Sequence, residues 1–320
     1  MMISIVIPNF NGEALLKKNL PKVFDAAVCF AQKEKKTVEV IIIDDCSKDN
    51  SIEVIQSSEF RVKSSNTKLT IIKNNKNIRF AASVNKGVKQ ASGDIVVLLN
   101  TDVVPQKDFL EPLVAHFKNQ NMFAVGCMDK SVEGDKVVLR GRGLGKWERG
   151  LLVHRRGEID KSNTLWVNGG SGAFRRDIWE KLGGFNTLYA PFYCEDIDLS
   201  YRALKSGYQT VFEPKSIVIH EHEKGAIKAK YSAQEVKTIA YKNQFLFVWL
   251  NITDTNLLLN HFFWLPYYFL FFAYKMETAF FLGFLRALSL FPLVLIFRFR
   301  NKKNFINKDN EVLKMYSDAS

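Results

Sequence analysis

The sequence predicts an α/β domain with a mostly parallel central sheet, plus a C-terminal hydrophobic helical segment. Three observations carry this. Strand-like and helix-like patterns alternate over the first 125 residues. The strand-like stretches are short, mainly apolar or β-branched runs, as expected of buried strands. Beyond residue 256 the composition shifts sharply toward Phe, Leu, Tyr and Trp.

The elements follow in order. Ile3 to Ile7 is a short apolar run closed by Pro8-Asn9. Residues 13 to 32 place Leu15, Leu16, Leu20, Val23, Phe24 and Ala27 on one helical side. Val38 to Ile43 reads as a buried strand, Ser47 to Ser57 as a capped helix, and Leu69 to Ile72 as a strand. A helix over 81–91 and a strand over Ile95 to Leu99 come next, and Pro105 suits the first turn of a further helix. Alternation of this kind argues for parallel strands joined by helical crossovers. Residues 126–165 are less periodic and read as irregular structure or a hairpin, and residues 223–244 as a polar helix or linker.

Two apolar runs, Leu257 to Tyr274 and Ala279 to Phe297, each approach the ~20 residues of a membrane span. His261 and Pro266 interrupt the first, Arg286 and Pro292 the second, and a basic flank from Arg298 to Lys303 follows. Three arrangements fit: a two-span hairpin with cytosolic ends, a pair of helices lying in the membrane interface, or a buried helical pair.

The chain has 320 residues, 47% of them hydrophobic, and a formal net charge of +12, which favours an anionic partner. No Lys/Arg block is long enough for a nucleic-acid arm. The four cysteines, Cys29, Cys46, Cys127 and Cys194, form no CxxC pair, which points to a reducing compartment. The N-terminal stretch lacks the basic n-region of a signal peptide and reads as a first strand.

Open parallel sheets present functional residues at the carboxyl ends of their strands. The first end is Pro8-Asn9-Phe10-Asn11-Gly12, which also reads as an ordinary turn. The second is Asp44-Asp45-Cys46-Ser47, read either as a helix N-terminus or as acids awaiting an N–H donor such as a nucleobase. The fourth is Asn100-Thr101-Asp102, a turn or a carboxylate site for Mg²⁺ or Mn²⁺ against a diphosphate. Gly169-Gly170-Ser171-Gly172 lets the backbone approach a ligand closely. Further on, Glu195-Asp196-Ile197-Asp198 opens a helix in which Glu195, Asp198 and Arg202 share a face while Asp196 points elsewhere, placed to accept a proton from a hydroxyl. His220, ending a strand and followed by Glu221-His222-Glu223, is a structural histidine or a metal ligand.

Taken in order, Ser4–Asn11, Asp44–Ser47, Asn85-Lys86-Gly87, Asn100–Asp102, Gly170–Arg176, Glu195–Leu199 and His220 resemble an inverting family-2 glycosyltransferase of the GT-A, nucleotide-diphospho-sugar transferase fold, near a rhamnosyltransferase-like branch. The likeness covers roughly residues 2–222. It implies a nucleoside pocket lined by Pro8, Phe10, Asp44 and Asp45, and a divalent metal (Mg²⁺ or Mn²⁺) held by Asp102, with Asn100 or a water helping and His220 completing the shell. It also implies a general base at Asp196 with Glu195 beside it, and a donor and acceptor cradle that includes Thr101, Gly170, Ser171 and Gly172. Asn100 stands where many family members carry Asp. The implied partners are a nucleotide-diphosphate sugar, a glycan or lipid-linked acceptor in cell-surface polysaccharide assembly, and membrane lipid, with no nucleic acid. The expected organisation is a catalytic domain over 1–222, a helical linker over 223–256, a membrane-associated hairpin over 257–300 at the cytoplasmic face, and a basic polar tail over 301–320. A nucleotidyltransferase would instead show a Gly-rich phosphate loop after the first strand, and Gly12 alone does not make one.

Overall fold

The computed structural model describes residues 2–57, 67–134, 136–221 and 230–317. Its central sheet has nine strands. The first strands in chain order are β1 (Ile3–Asn9), β2 (Val38–Asp44), β3 (Thr67–Lys73), β4 (Ile95–Leu99) and β5 (Val103–Pro105). They are followed by β6 (Met122–Glu133) and β7 (Lys136–Arg140), and, after a separate hairpin of β8 (Gly143–Glu148) and β9 (Leu151–Arg156), by β10 (Ser171–Arg175) and β11 (Gln209–Glu221). The spatial order is β3-β2-β1-β4-β10-β6-β11-β5, with β7 paired to β6.

The first four strands run parallel, with Ile3 opposite both Val38 and Ile95. Strand β10 enters antiparallel between β4 and β6, and β5 is antiparallel to β11. The alternation of side chains along a strand sorts the core into two layers. Ile5, Ile7, Val40, Ile42, Val97 and Leu99 face α1 (Glu13–Glu34) and α4 (Leu110–Ala115). Val6, Ile41, Ile43, Val96 and Leu98 face α3 (Phe80–Gln90) and α5 (Arg176–Leu182). Helix α3 lies so close to the sheet that a Cβ at Gly87 would sit 2.4 Å from the Ile43 side chain.

Several local expectations change. The segment after Asp44 forms only a short α2 (Ser51–Gln56), preceded by a turn in which the Ser47 N–H donates to the Asp44 carboxylate at 3.1 Å. Pro105 pairs with Val218 in a strand, and α4 starts five residues later at Leu110. Residues 126–165 contain two antiparallel pairs, β6–β7 and β8–β9.

Helix α6 (Glu195–Lys205) precedes β11, and beyond β11 come α7 (Ala233–Asn251), α8 (Thr255–Tyr274), α9 (Thr278–Ser289), α10 (Phe291–Lys302) and α11 (Asp309–Met315). A second apolar core joins Tyr201 and Leu204 of α6 to α7, α9 and α11. The second apolar run is thus two helices, bent by 61° near Leu290. The stretch expected to be a polar tail folds back as α11, drawn in by Val312, Leu313 and a fully buried Asp309. Asp309 and Lys205 pair at 2.7 Å, both without solvent exposure. His222 and Glu223 lie outside the described residues.

Candidate functional site

The site residues meet at the carboxyl edge of the parallel strands. Register places Asn9 opposite Asp44. Pro8 and Phe10 are half-buried there, and the Phe10 ring faces the Lys230 ammonium at 5.1 Å. The two acids after β2 do different work. Asp44 is buried and turned inward, accepting from Asn9 Nδ2 at 2.9 Å and from the Ser47 N–H. Asp45 is the organiser of the next loop. It accepts from Asn74 Nδ2 at 2.9 Å and from the N–H groups of Ile78 and Arg79 at 2.8 and 2.9 Å. Its carboxylate therefore ties the loop from Asn74 to Arg79 to the end of β2, and Arg79 adopts a positive φ there.

The edge continues through β4 and β10. Their pairing sets Ser171 against Leu99, so Gly170 meets Asn100, whose N–H donates to the Gly170 carbonyl at 2.9 Å. A Cβ at Gly170 would stand 2.5 Å from Asn100 Nδ2. That close approach explains glycine at this position. The Thr101 carbonyl accepts from Asn19 Nδ2 of α1 at 2.8 Å, fixing the turn that presents Asp102.

Asp102 and His220 come together because β11 pairs with β5, with His220 opposite Val103. Asp102 Oδ2 lies 3.1 Å from His220 Nε2, and Asp129 Oδ2 lies 3.0 Å from His220 Nδ1. Burial would lower the His220 pKa, but the two flanking carboxylates outweigh it and raise it to about 9. The ring therefore carries a proton on each nitrogen at neutral pH. The donor set fits a divalent cation. The 3.1 Å spacing is that of a hydrogen bond; with the Nε2 proton lost, the Asp102 carboxylate and the His220 imidazole would be the pair to hold such an ion. Asp129 would then orient the ring from behind. Among the described residues no group of three or more carboxylates, histidines or cysteines forms a cation cage. The remaining positions would fall to phosphate oxygens and water.

The third part is the N-terminus of α6. Cys194, at positive φ, turns the chain so that Glu195 and Asp196 open the helix. Asp196 accepts from the Gly169 N–H at 3.3 Å and from Ile197 N–H at 2.8 Å, which ties it to the same glycine run that meets Asn100. Burial raises its pKa despite these donors. Glu195 is buried, and burial together with the Asp196 charge pushes its pKa up to about 8. Its Oε2 has no hydrogen-bond partner among the described residues. Asp198 plays a different part. It is fully buried, binds Arg202 at 2.7 Å, and accepts from Tyr189 and from Asn251 of α7. Arg202 in turn caps the carbonyls of Leu182 and Gly184.

Two neighbours carried no sequence signal. Asp129 sits mid-strand in β6. His154 of β9 packs edge-on against Trp166 at 5.7 Å; enclosure lowers its pKa and the Asp196 charge partly offsets this.

The chain matches the family model described as "Glycosyl transferase family 2" over residues 4–183, and that of "Glycosyl transferase family group 2" over residues 95–300. It belongs to glycosyl transferase family 2. Among curated proteins it is 30% identical over 150 residues to a pre-mycofactocin glycosyltransferase of Mycobacterium tuberculosis, an alignment covering 44% of this chain and 30% of that one. It is 24% identical over 233 residues to the O-antigen chain rhamnosyltransferase RfbN of Salmonella typhimurium, covering 69% and 67%. The chain thus spans less than a third of the first relative's length and about two thirds of the second's. Among solved structures it resembles S. aureus TarS 1-349 in complex with UDP-GlcNAc, with a TM-score of 0.60 at 15% identity over 99% of this chain and 91% of that one. A mannosyltransferase of Pyrobaculum calidifontis in complex with GDP-Man and Mn²⁺ gives 0.56 at 16% over 94% and 84%. The fold is that of the GT-A glycosyltransferases.

Proposed function

We propose that this chain is an inverting, metal-dependent glycosyltransferase. It moves a sugar from a nucleotide diphosphate to a hydroxyl of a glycan or lipid-linked acceptor at the cytoplasmic face of a membrane. The observation that carries the reading is the backbone link between its charged groups. Asp196 is bound to Gly169, and Gly170 is bound to Asn100, two residues before Asp102. This link supports reading Asp196 as the base and Asp102 as the cation ligand on one edge.

Pro8, Phe10 and the loop fixed by Asp45 would receive the nucleoside. The Gly170–Gly172 run would let the sugar diphosphate lie against backbone. Asp102 and His220 would hold the cation, with His220 giving up its Nε2 proton on loading. When bound, that ion offsets the negative charge that builds on the departing diphosphate. Asp196 would take the acceptor's hydroxyl proton as the acceptor oxygen bonds to the anomeric carbon. The bond from that carbon to the phosphate oxygen breaks on the opposite side, its electron pair leaving with the diphosphate, so a single displacement inverts the centre. The relatives support this chemistry: a rhamnosyltransferase of O-antigen chains, and structural neighbours holding UDP-GlcNAc or GDP-Man.

The test is Asp196→Asn, assayed with a panel of nucleotide sugars and Mn²⁺. Donor binding by calorimetry stays intact, while transfer falls roughly 10²–10⁴-fold. Transfer at the wild-type rate would remove Asp196 from the base role.

A further inference from the structure

The largest feature left over is an exposed apolar face. Helix α8 presents Leu259, Phe262, Phe263, Leu270, Phe271 and Tyr274 to solvent. Leu285 of α9 and Leu293, Ile296 and Phe299 of α10 continue it. Contiguous patches of this extent mark a binding surface. By length and composition α8 is the one helix among the described residues that could cross a bilayer.

Its packing argues against crossing. The opposite stripe of α8 is committed to protein along its length. His261 is buried, accepts from Trp249 Nε1 at 3.1 Å and binds the Gly150 carbonyl at 2.7 Å. Asn260 accepts from Trp147 Nε1 at 3.0 Å. Further along, Phe269 stacks edge-on with Phe284 of α9 at 4.9 Å, and Phe272 lies on Phe280 at 4.3 Å. Arg149, at the β8–β9 turn, sits over the Trp264 and Tyr267 rings at 5.6 and 5.8 Å. A helix seated on a polar hairpin along one side cannot have lipid all round. Helices α9 and α10 have 12 residues each, about 18 Å at ~1.5 Å per residue, short of the ~30 Å hydrocarbon core, and they are bent by 61°. Helix α9 is also locked to α7, since a Cβ at Gly283 would lie 2.7 Å from Tyr241 Cβ and 2.9 Å from the Lys242 backbone nitrogen.

Charge identifies the occupant. From Thr255 to Lys303 the chain carries Lys275, Arg286, Arg298, Arg300, Lys302 and Lys303 against a single acid, Glu277, and Glu277 is paired with Lys237 at 2.6 Å. Arg298 is held inward by the Trp249 carbonyl, but the remaining cationic excess in a segment with an exposed apolar face matches an anionic bilayer surface. We infer that α8, α9 and α10 form a monotopic platform whose outer faces sink into one leaflet of an anionic membrane without crossing it. The Lys275–Glu277 turn then stays on the same side as the catalytic edge. This deepens the reading above and rests on it only for the acceptor: the β8–β9 hairpin, with its turn on α8 and His154 facing Asp196, would stand at headgroup level, where a lipid-borne acceptor arrives.

The experiment uses the full chain. It should float with phosphatidylcholine vesicles containing phosphatidylglycerol, bind them less at high salt, and bind pure phosphatidylcholine more weakly. The double variant Leu270→Glu/Phe271→Glu should lower the vesicle partition coefficient at least about tenfold while leaving donor hydrolysis in detergent unchanged. A Met276→Cys variant in sealed membrane vesicles from the expressing cells reports topology, using an impermeant maleimide and mass-spectrometric readout at residue 276. Labelling from the face that also labels Cys46 is expected. Labelling from the opposite face means the turn has crossed and overturns the proposal. So does a protein that ignores the vesicles, or one that buries this face in a lipid-free oligomer. Donor hydrolysis is read on the same samples. Its absence in the wild type would sink the glycosyltransferase reading and leave the topology result standing.

Discussion

The buried pair between Lys205 and Asp309 gives the sharpest stability prediction. Both side chains are fully enclosed. Lys205 Nζ also donates to the Asn251 carbonyl at 3.1 Å and Thr253 Oγ1 at 2.6 Å. Asp309 accepts from Tyr201 at 2.7 Å and from the N–H groups of Thr253 and Asp254 at 2.6 and 2.8 Å. Burial would raise the Asp309 pKa, but the Lys205 charge and these donors hold it below the usual carboxylate range. Replacing Asp309 by Asn leaves an ammonium in the interior with only neutral acceptors. Breaking a buried pair from one side costs about 3–5 kcal/mol. For 320 residues at ~2.1 cal/mol/K each, the unfolding entropy is about 0.7 kcal/mol/K. The expected drop in Tm is therefore about 4–7 °C, read by calorimetry at constant protein concentration. The double variant Lys205→Met/Asp309→Leu removes both charges and should regain most of the loss, because a well-packed apolar pair is often as stable as the ion pair it replaces. An Asp309→Asn protein melting within about 1 °C of the wild type would show that Lys205 is not held as a buried cation, and the reasoning would fail.

Three further predictions concern the site. Asp129→Asn removes the carboxylate behind His220 without touching Asp102, and should weaken Mn²⁺ binding in the presence of nucleotide by roughly 10–100-fold; unchanged calorimetric affinity would dismiss an orienting role for Asp129. The raised pKa values of Asp196 and Glu195 fix the sign of the pH response. Asp196 accepts a proton only when ionised, so kcat/KM should climb with pH along a limb lying above the ordinary carboxylate range near ~4, and a flat profile from about pH 5 to about pH 9 would contradict it. Folded Glu195 binds its proton where the unfolded side chain has lost it, so its contribution to stability is present below the usual carboxylate value and is lost as pH rises through about 8. Glu195→Gln should flatten that decline in urea midpoints.

Much of the sheet was legible because burial on both faces leaves a plain trace. Ile95–Leu99 is an unbroken apolar run, Ile3–Ile7 and Val38–Ile43 are apolar apart from Ser4 and Glu39, which bond to each other, and each became a central strand. The motifs at their ends were readable for the same reason: polar residues directly after such runs stand at the sheet edge. The Glu195–Asp198–Arg202 face was also legible, since helical spacing brings Asp198 and Arg202 together. Asp129 was not, because one acid within a half-buried strand looks like any solvent-facing residue until β11 brings His220 beside it. Pro105 was read as a helix start because its fixed φ suits a first turn equally well; pairing with β11 decided the matter. The break at Leu290 was hidden by uniform hydropathy, which measures composition and not direction. The pairing of Lys205 with Asp309 spans 104 positions and has no local signature at all.

That last contact has a consequence for how the enzyme is made. The helix that begins with Glu195 and Asp196 ends at Lys205, whose counter-ion is supplied by Asp309. During synthesis every residue of the candidate site emerges from the ribosome well before that carboxylate does. Until then the catalytic helix carries an uncompensated ammonium on its inner end, which favours keeping it solvated and undocked. Docking of that helix is thereby deferred until Asp309 has been made, after the apolar helices have already emerged.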